Sequence, residues 1–578
     1  MTSEKGAETP LDKYVRFKNN IQLWYKEMDK AGLTKEEQKT LEPYFLSSYG
    51  VPPSQEQLMK MLMDENICHF TLKEANAARK VVGKKQMNKI PELHQKVLDQ
   101  AKSKTLGEYV WANGIGPQMG YSFSIIHALA YSFVGIQTLY LATNFNPIYW
   151  NTACLIVDSG SLENNDETKR IASTDYTKVA KAIGKMRKSG INVSLVNINE
   201  SDFGFKPDVA NNRILFGLKS MLNVGDDLVI DIINNRPYTS PEDFVEKIGP
   251  NRQAMVALIK GGAFDEFQDR VECMKWYIRS SCDQKKRITM QNLAGLMEHK
   301  LIPDDYKEEK RVYEFTRYLK KVCRNTKENY YLDERAINFL TELNEEDLIE
   351  QDENNDFILN KNNWDIVYNT YLNTFRKYIN ENKDILLKKL NDELFKEDWN
   401  KYAQGSLSAW EMEVLCFYYH EHELANANFT KYGIVDFFTL PEEPEIESSF
   451  KLKNGAIVNR LKLYKIAGTV IAKNKTRSTV SLLTTTGVVD VKFRKEYFAL
   501  FDKQISLKGS DGVKHVIEKS WFNRGNMLVV QGFRSEDSFI PKKYTNSQGH
   551  QLYRIQHMTK TGNLDLQTER AKGIAEDE

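Results

Sequence analysis

The spacing of apolar residues divides the chain into a long helical part and a shorter β part. Over residues 13–145 apolar positions recur three and four apart, which places them on one helix face. Breaks at 50–53, Gly83, Pro91 and Gly107 mark turns. Thr71-x-x-Glu74 has the form of a capping box, in which the threonine and glutamate side chains each satisfy a free backbone N–H. The stretch 122–143 is apolar most of the way round, with Phe123, Tyr131, Phe133 and Tyr140, so it predicts a buried helix that ends at 144–147. Residues 175–265 alternate short helices with glycine turns. Residues 266–400 are highly charged and helical, and the acidic, Asn-rich stretch 345–363 predicts an exposed loop or insertion. From about 455 the period becomes two. Val489, Val491 and Phe493 face one way, and Asp490, Lys492 and Arg494 the other, as in a half-buried strand. With 465–473 and 527–534 this predicts a small all-β barrel. Residues after about 558 predict disorder.

Composition narrows this picture. The 578 residues are too many for one core and imply roughly three to five domains. A hydrophobic share of 41% fits a globular chain, and no run of eighteen apolar residues occurs, so no membrane span is expected. The polar start, 1–10, lacks the apolar core of a secretory signal. The six cysteines have no Cys-x-x-Cys spacing, so neither zinc nor a disulfide framework is expected, and the reading is cytoplasmic. Net charge is +1, so any nucleic-acid contact has to come from local basic stripes.

Such stripes exist. Arg79-Lys80-Val81-Val82-Gly83-Lys84-Lys85 puts Lys80 and Lys84 on one helix face, with Lys73 on the same stripe. Positioned cations neutralise a triphosphate during phosphoryl transfer; by spacing alone, a solvated basic helix is the commoner reading of such a run. Near Phe216 to Gly225, a hairpin between helices exposes backbone N–H groups that can hold a DNA phosphate, although a lone glycine is ordinarily just a turn. In the β part, Lys473, Lys475, Arg477, Lys492 and Arg494 offer charge and Tyr497 a stacking platform for single-stranded DNA, or else these are ordinary polar strand faces.

A family resemblance changes the weighting. Tyr49-Gly50-Val51-Pro52-Pro53-Ser54-Gln55-Glu56-Gln57-Leu58-Met59, then Arg79 to Lys85, then Gly120-Tyr121-Ser122-Phe123-Ser124-Ile125-Ile126-His127-Ala128-Leu129-Ala130-Tyr131 resemble, in order and near spacing, three finger segments of the bacterial DNA polymerase III alpha subunit. Phe216 to Gly225 with Leu258 to Asp265 resembles its helix-hairpin-helix. Trp410-Glu411-Met412-Glu413-Val414-Leu415-Cys416-Phe417-Tyr418 resembles the segment before its OB-fold. The resemblance implies a multidomain, mainly α chain with a C-terminal OB-fold β-barrel. Its expected regions are a disordered leader at 1–12, fingers at 13–212, a helix-hairpin-helix region at 213–270, a charged helical insertion at 271–400, a connector at 401–454, an OB-fold at 455–545 and a tail at 546–578. It also implies that Arg79, Lys80, Lys84, Lys85 and His127 meet the incoming dNTP. Asn223 and Gly225 would meet DNA through the hairpin, and Lys473, Lys475, Arg477, Lys492, Arg494 and Tyr497 would meet it through the barrel. His127 reads equally as a buried packing histidine.

Three positions depart from the family. A lysine before its Ser-His pair is Ile125 here, the third lysine after Gly83 is Gln86, and the first hairpin glycine is Asn223. The family's palm carries an Asp-x-Asp pair and a third Asp upstream of the Tyr-Gly segment, holding the two metal ions of nucleotidyl transfer. Only 48 residues precede Tyr49, and no Asp-x-Asp occurs in the chain. The expectation is a split gene, phage-like in its Asn, Lys and Ile richness, or a fragment. Another chain would then supply the palm and its Mg2+, and this chain alone would be inactive. Primer-template, single-stranded DNA and dNTP are the implied ligands, and a sliding clamp a further implied partner, although Gln291 to Leu296 copies the clamp peptide poorly. The competing reading is a non-catalytic DNA-binding protein descended from a polymerase.

Overall fold

Capping explains where four helices near the start of the chain begin. Thr9 with Asp12, Thr34 with Glu37, Ser54 with Gln57, and Thr71 with Glu74 each form a reciprocal cap that opens a helix: Pro10–Asn19, Lys35–Phe45, Gln55–Met63 and Leu72–Gly83. A computed structural model describes residues 8–52, 54–120, 123–161, 173–452, 454–508, 514–544 and 549–571. Pro53, Tyr121 and Ser122 of the family segments lie outside the described residues. The chain divides into two compact units, Met1–Asn146 and Pro147–Glu578.

The first unit buries Phe17, Trp24, Phe45, Leu58, Leu62 and Val110. Trp24 Nε1 donates to the Tyr109 hydroxyl at 3.0 Å, so the one polar atom of the indole is satisfied inside the core. Tyr49 and Gly50 both take left-handed backbone, at φ 49° and 77°. A Cβ on Gly50 would stand 2.7 Å from the Trp24 ring, which gives the Tyr-Gly pair a packing reason. Two expectations fail in this unit. The leader expected through residue 12 is already helical from Pro10. The apolar helix, Ile125–Asn144, is not buried: none of its residues is, and by length and composition it could cross a membrane. Its apolar periphery gives the expectation of burial, but no described residue of its own unit covers it.

The second unit has three regions. Residues 147–161 and 173–281, joined by Leu407–Leu415, form a mainly helical core around Phe216, Phe244, Leu258, Met274 and Trp410. Residues 288–402 form two smaller cores. One packs Val312, Phe315, Leu340 and Trp364; the other packs Leu296, Phe375 and Leu390. The stretch 345–363 is therefore not an open loop. Its Phe357–Asn360 strand pairs with Asn329–Tyr331 and Ile349–Gln351, Leu359 is fully buried, and Asn360 caps the helix Lys361–Glu381.

The third region is a closed barrel of five strands, Tyr464–Asn474, Thr479–Leu483, Val488–Lys492, Met527–Ser535 and Ser538–Pro541. In that order they run 1-2-3-5-4 and back to 1, with strands 3 and 5 parallel. The helix Lys495–Asp502 between strands 3 and 4 sends Phe498 and Phe501 into the barrel core. This is the OB-fold. The tail expected from 546 adds two further strands, Leu552–Met558 and Leu564–Gln567, to the same sheet. Beyond them Arg570 makes a buried ion pair with Glu518 at 2.7 Å. The tail folds because Leu552, Tyr553, Ile555 and Leu564 are apolar and buried.

Candidate nucleotide and DNA interface

In the first unit, helix capping brings the three finger segments together. Gln55 N–H donates to the Phe123 carbonyl at 2.7 Å. The Glu56 carboxylate accepts the Ser124 hydroxyl and the Ile125 N–H, each at 2.9 Å, so it caps the apolar helix from outside. Partial burial pushes that carboxyl up, but these hydrogen bonds outweigh it and hold it below the usual carboxylate range. Arg79 is half-buried and donates to Gln55 Oε1 at 2.9 Å and to Asn76 Oδ1 at 2.9 and 3.1 Å. Lys80, Lys84 and Lys85 are exposed, and none forms an ion pair among the described residues. Lys84 is the C-cap of the basic helix, and Lys85 follows in left-handed backbone at φ 51°. Lys73 is exposed at the other end of that helix. His127 is exposed, edge-on to Tyr131 at 4.6 Å, so it is not the buried packing histidine of the alternative reading.

In the hairpin of the second unit, Asn223 stands where the family has its first glycine. Asn223 adopts φ 66°, and asparagine tolerates left-handed backbone better than most residues. Val224 is buried and anchors the turn, while Asn223 and Gly225 are exposed. A Cβ on Gly225 would meet nothing within 4 Å, so a ligand can approach the backbone there. Asp226 and Asp227 follow at once in the first turn of Asp226–Asn234; they suit the helix end but repel a phosphate. Lys219 answers Asp226 at 3.2 Å.

The barrel cations fall into two groups. Lys473 and Lys475 are tied to the Asp502 carboxylate, at 2.5 and 3.3 Å, and do not stand as free charge. Arg477, Lys492 and Arg494 are exposed, with no ion pair among the described residues. Thr479 pairs with Lys492, and Phe493 N–H donates to the Ser478 carbonyl, which brings all three cations to one end of strands 2 and 3. Tyr497 is not an open platform. Its ring lies parallel to Phe493 at 6.1 Å and 4.8 Å from Phe501, half-buried, and burial pushes its hydroxyl up to about 12. Tyr497 turns inward because the strand 3–4 helix uses that face to close the barrel.

Sequence reasoning missed the network that joins the helix-hairpin-helix region to the segment 411–420 before the barrel. Glu411 is fully buried. It accepts from Arg270 at 3.1 Å, from the N–H groups of Tyr419 and His420 at 2.9 and 3.0 Å, and pairs with His420 Nδ1 at 2.6 Å. Arg270 also reaches Asp265 at 2.5 Å, and Lys260 reaches Glu413 at 2.6 Å. The signal was present: two family segments, 258–265 and 410–418, each carry charge inside an apolar run.

Comparisons with known proteins match two stretches of the chain to family models and much of it to curated polymerases. Residues 11–105 match the model of the bacterial DNA polymerase III alpha subunit finger domain, and residues 190–273 match a helix-hairpin-helix motif. The chain is a DNA polymerase III alpha relative. It is 39% identical to the DNA-directed DNA polymerase of Bacillus phage SPbeta over 583 aligned residues, covering 98% of this chain and 44% of that protein. It is 31% identical to the DNA polymerase III subunit alpha of Thermus aquaticus over 248 residues, 41% of this chain and 19% of that one. The corresponding Deinococcus radiodurans subunit is 30% identical over 276 residues, 46% of this chain and 19% of that one. The chain thus spans under half the length of these polymerase relatives, an extent consistent with the C-terminal half of a polymerase III alpha subunit.

Proposed function

We propose that this chain is the finger, helix-hairpin-helix and OB-fold portion of a replicative DNA-dependent DNA polymerase. It binds the incoming dNTP through Arg79, Lys80, Lys84 and Lys85, with His127 on the adjoining helix, and DNA through the hairpin and the barrel. Another polypeptide supplies the palm, its carboxylates and the Mg2+ they hold, and the complex works inside the cell; a sliding clamp is a further partner. The observation that carries this reading is the joining of the three finger segments by Gln55, Glu56 and Arg79 beside exposed lysines that form no ion pair among the described residues. A protein kept only for DNA binding has no use for that arrangement. Positioned cations supply the electrostatic share of phosphoryl transfer, and in-line displacement needs the palm's metals besides.

The test is reconstitution. The chain is mixed with the portion of the phage SPbeta polymerase that it does not match, and primer extension is measured with Mg2+. Extension by the mixture and none by either piece supports the reading. Extension by this chain alone, or single-stranded DNA binding without any extension by the mixture, refutes it; the second result favours the non-catalytic DNA-binding protein.

A further inference from the structure

The helix Ile125–Asn144 presents an apolar surface that the described fold of the first unit leaves open. It is about 30 Å long at 1.5 Å per residue. It holds no Asp, Glu, Lys or Arg, and none of its residues is buried. Exposure runs round the whole helix: Ile126 is 78% exposed, Phe133 64%, Ile136 64% and Leu139 63%. Three of its hydroxyls are already satisfied. The hydroxyls of Ser132, Thr138 and Thr143 donate to the carbonyls of Ala128, Gly135 and Leu139 at 2.8 Å each. Covering the helix would therefore strand none of these hydroxyls, and would remove from water an apolar surface of the kind that marks an interaction site.

We infer that this helix is the surface on which the missing polymerase portion docks, an apolar protein groove that encloses the helix on more than one side. The inference rests on the proposed function. Three observations favour that occupant. The SPbeta relative carries more than half of its length outside the matched region, so a large polymerase portion remains to be placed. The helix N-terminus is fixed by Glu56 to the segments that carry the proposed dNTP site, so whatever covers the helix is held beside that site. A membrane span fits poorly. The finger-domain match, 11–105, precedes the helix and the helix-hairpin-helix match, 190–273, follows it, so a span would separate regions that serve one DNA.

The experiment uses the full chain and, as probe, the portion of the SPbeta polymerase that it does not match. Binding is followed by analytical ultracentrifugation, and amide hydrogen exchange is followed over 125–144. The expected result is a one-to-one complex, exchange in the helix slowed at least tenfold, and at least tenfold weaker binding for Ile136→Glu and Phe133→Glu. Far-UV circular dichroism should be unchanged in both variants, because these side chains touch little in the free chain. If a complex forms and extends primers but neither variant weakens it and the helix gains no protection, this inference falls and the proposed function stands. If no complex and no extension are found, both fall. Helix protection already complete in the chain alone, self-association abolished by Ile136→Glu, or co-flotation with phosphatidylglycerol vesicles abolished by it would each overturn the docking assignment.

Discussion

Replacing Lys84 by alanine should damage nucleotide use while leaving the fold intact, and Lys73→Ala is the control. Lys84 is exposed and without an ion pair among the described residues, so its removal should change stability by no more than about 0.5 kcal/mol. Loss of one charge-assisted hydrogen bond to a phosphate costs about 1.5–3 kcal/mol, a fall of roughly ten- to a hundredfold in kcat/KM for the incoming nucleotide. Lys73 sits on the same basic stripe but eleven residues earlier, about 16 Å away at helical rise. In water at that distance one charge feels another by about 0.3 kcal/mol, and a Debye length of about 8 Å reduces this roughly sevenfold. Even against several phosphate charges, Lys73→Ala should cost about 0.2 kcal/mol, less than a twofold change. The assay is single-turnover incorporation by the reconstituted complex, with primer-template affinity measured in parallel. Equal and small effects of the two substitutions would show the basic helix to be a solvated face.

Three other outcomes follow from the second unit. Glu411→Ala leaves Arg270 and two backbone N–H groups without their carboxylate, and should destabilise the second unit by about 3–5 kcal/mol in chemical unfolding, where a loss under about 1 kcal/mol would contradict the network. Alanine at Arg477, Lys492 or Arg494 should each lower the slope of log affinity for single-stranded DNA against log salt by about 0.7, whereas Lys473→Ala should not, because Asp502 already holds that charge. His422 should make stability pH-dependent: burial pushes its pKa down from 6.5 to about 4, and neutral Nδ1 accepts the Leu424 N–H while Nε2–H donates to the Leu483 carbonyl. The unfolded chain binds the proton first, so this stability is complete above pH 6.5 and is lost as pH falls towards 4; His422→Gln should flatten that stretch of the melting-temperature profile.

Local rules made much of this protein legible. The Thr71-Glu74 cap and the alternation of Val489, Val491 and Phe493 follow from hydrogen bonding and pleat within a few residues, and both stand in the structure as read. The misreadings concern what covers a segment, which no local rule carries. The helix at 125 has the composition of a core helix, yet its own unit leaves it open. The stretch 345–363 looks too acidic to pack, yet the three residues Phe357, Ile358 and Leu359 are enough to build a strand once Asn329–Tyr331 lies beside it. Tyr497 reads as a platform on charge and position, but its direction depends on the strand 3–4 helix, which turns it towards Phe493 and Phe501. Lys473 and Lys475 read as free cations because their partner, Asp502, is far along the chain.

The departure at Ile125 weighs less than the sequence alone suggests. A lysine there would have placed its charge at a helix start, where the helix dipole already favours anions. Here the start is occupied instead by the Glu56 carboxylate, held by the Ile125 N–H and the Ser124 hydroxyl. That carboxylate is an obstacle to a phosphate at the same spot, so on the proposed reading the triphosphate would meet the far end of Leu72–Gly83, with only His127 reaching it from the apolar helix. The guanidinium of Arg79 donates to the neutral amides of Gln55 and Asn76, so it fixes the joint between segments while Lys80, Lys84 and Lys85 carry the uncommitted charge. The three lysines and Arg79 therefore divide the work. Substituting a lysine should weaken the nucleotide interaction and spare the fold, whereas Arg79→Ala should also loosen the contact between Gln55 and the basic helix. Hydrogen exchange at the start of Gln55–Met63 separates the two cases: faster exchange in Arg79→Ala and unchanged exchange in Lys84→Ala is the expected pattern, and identical exchange in both would leave Arg79 no positioning role.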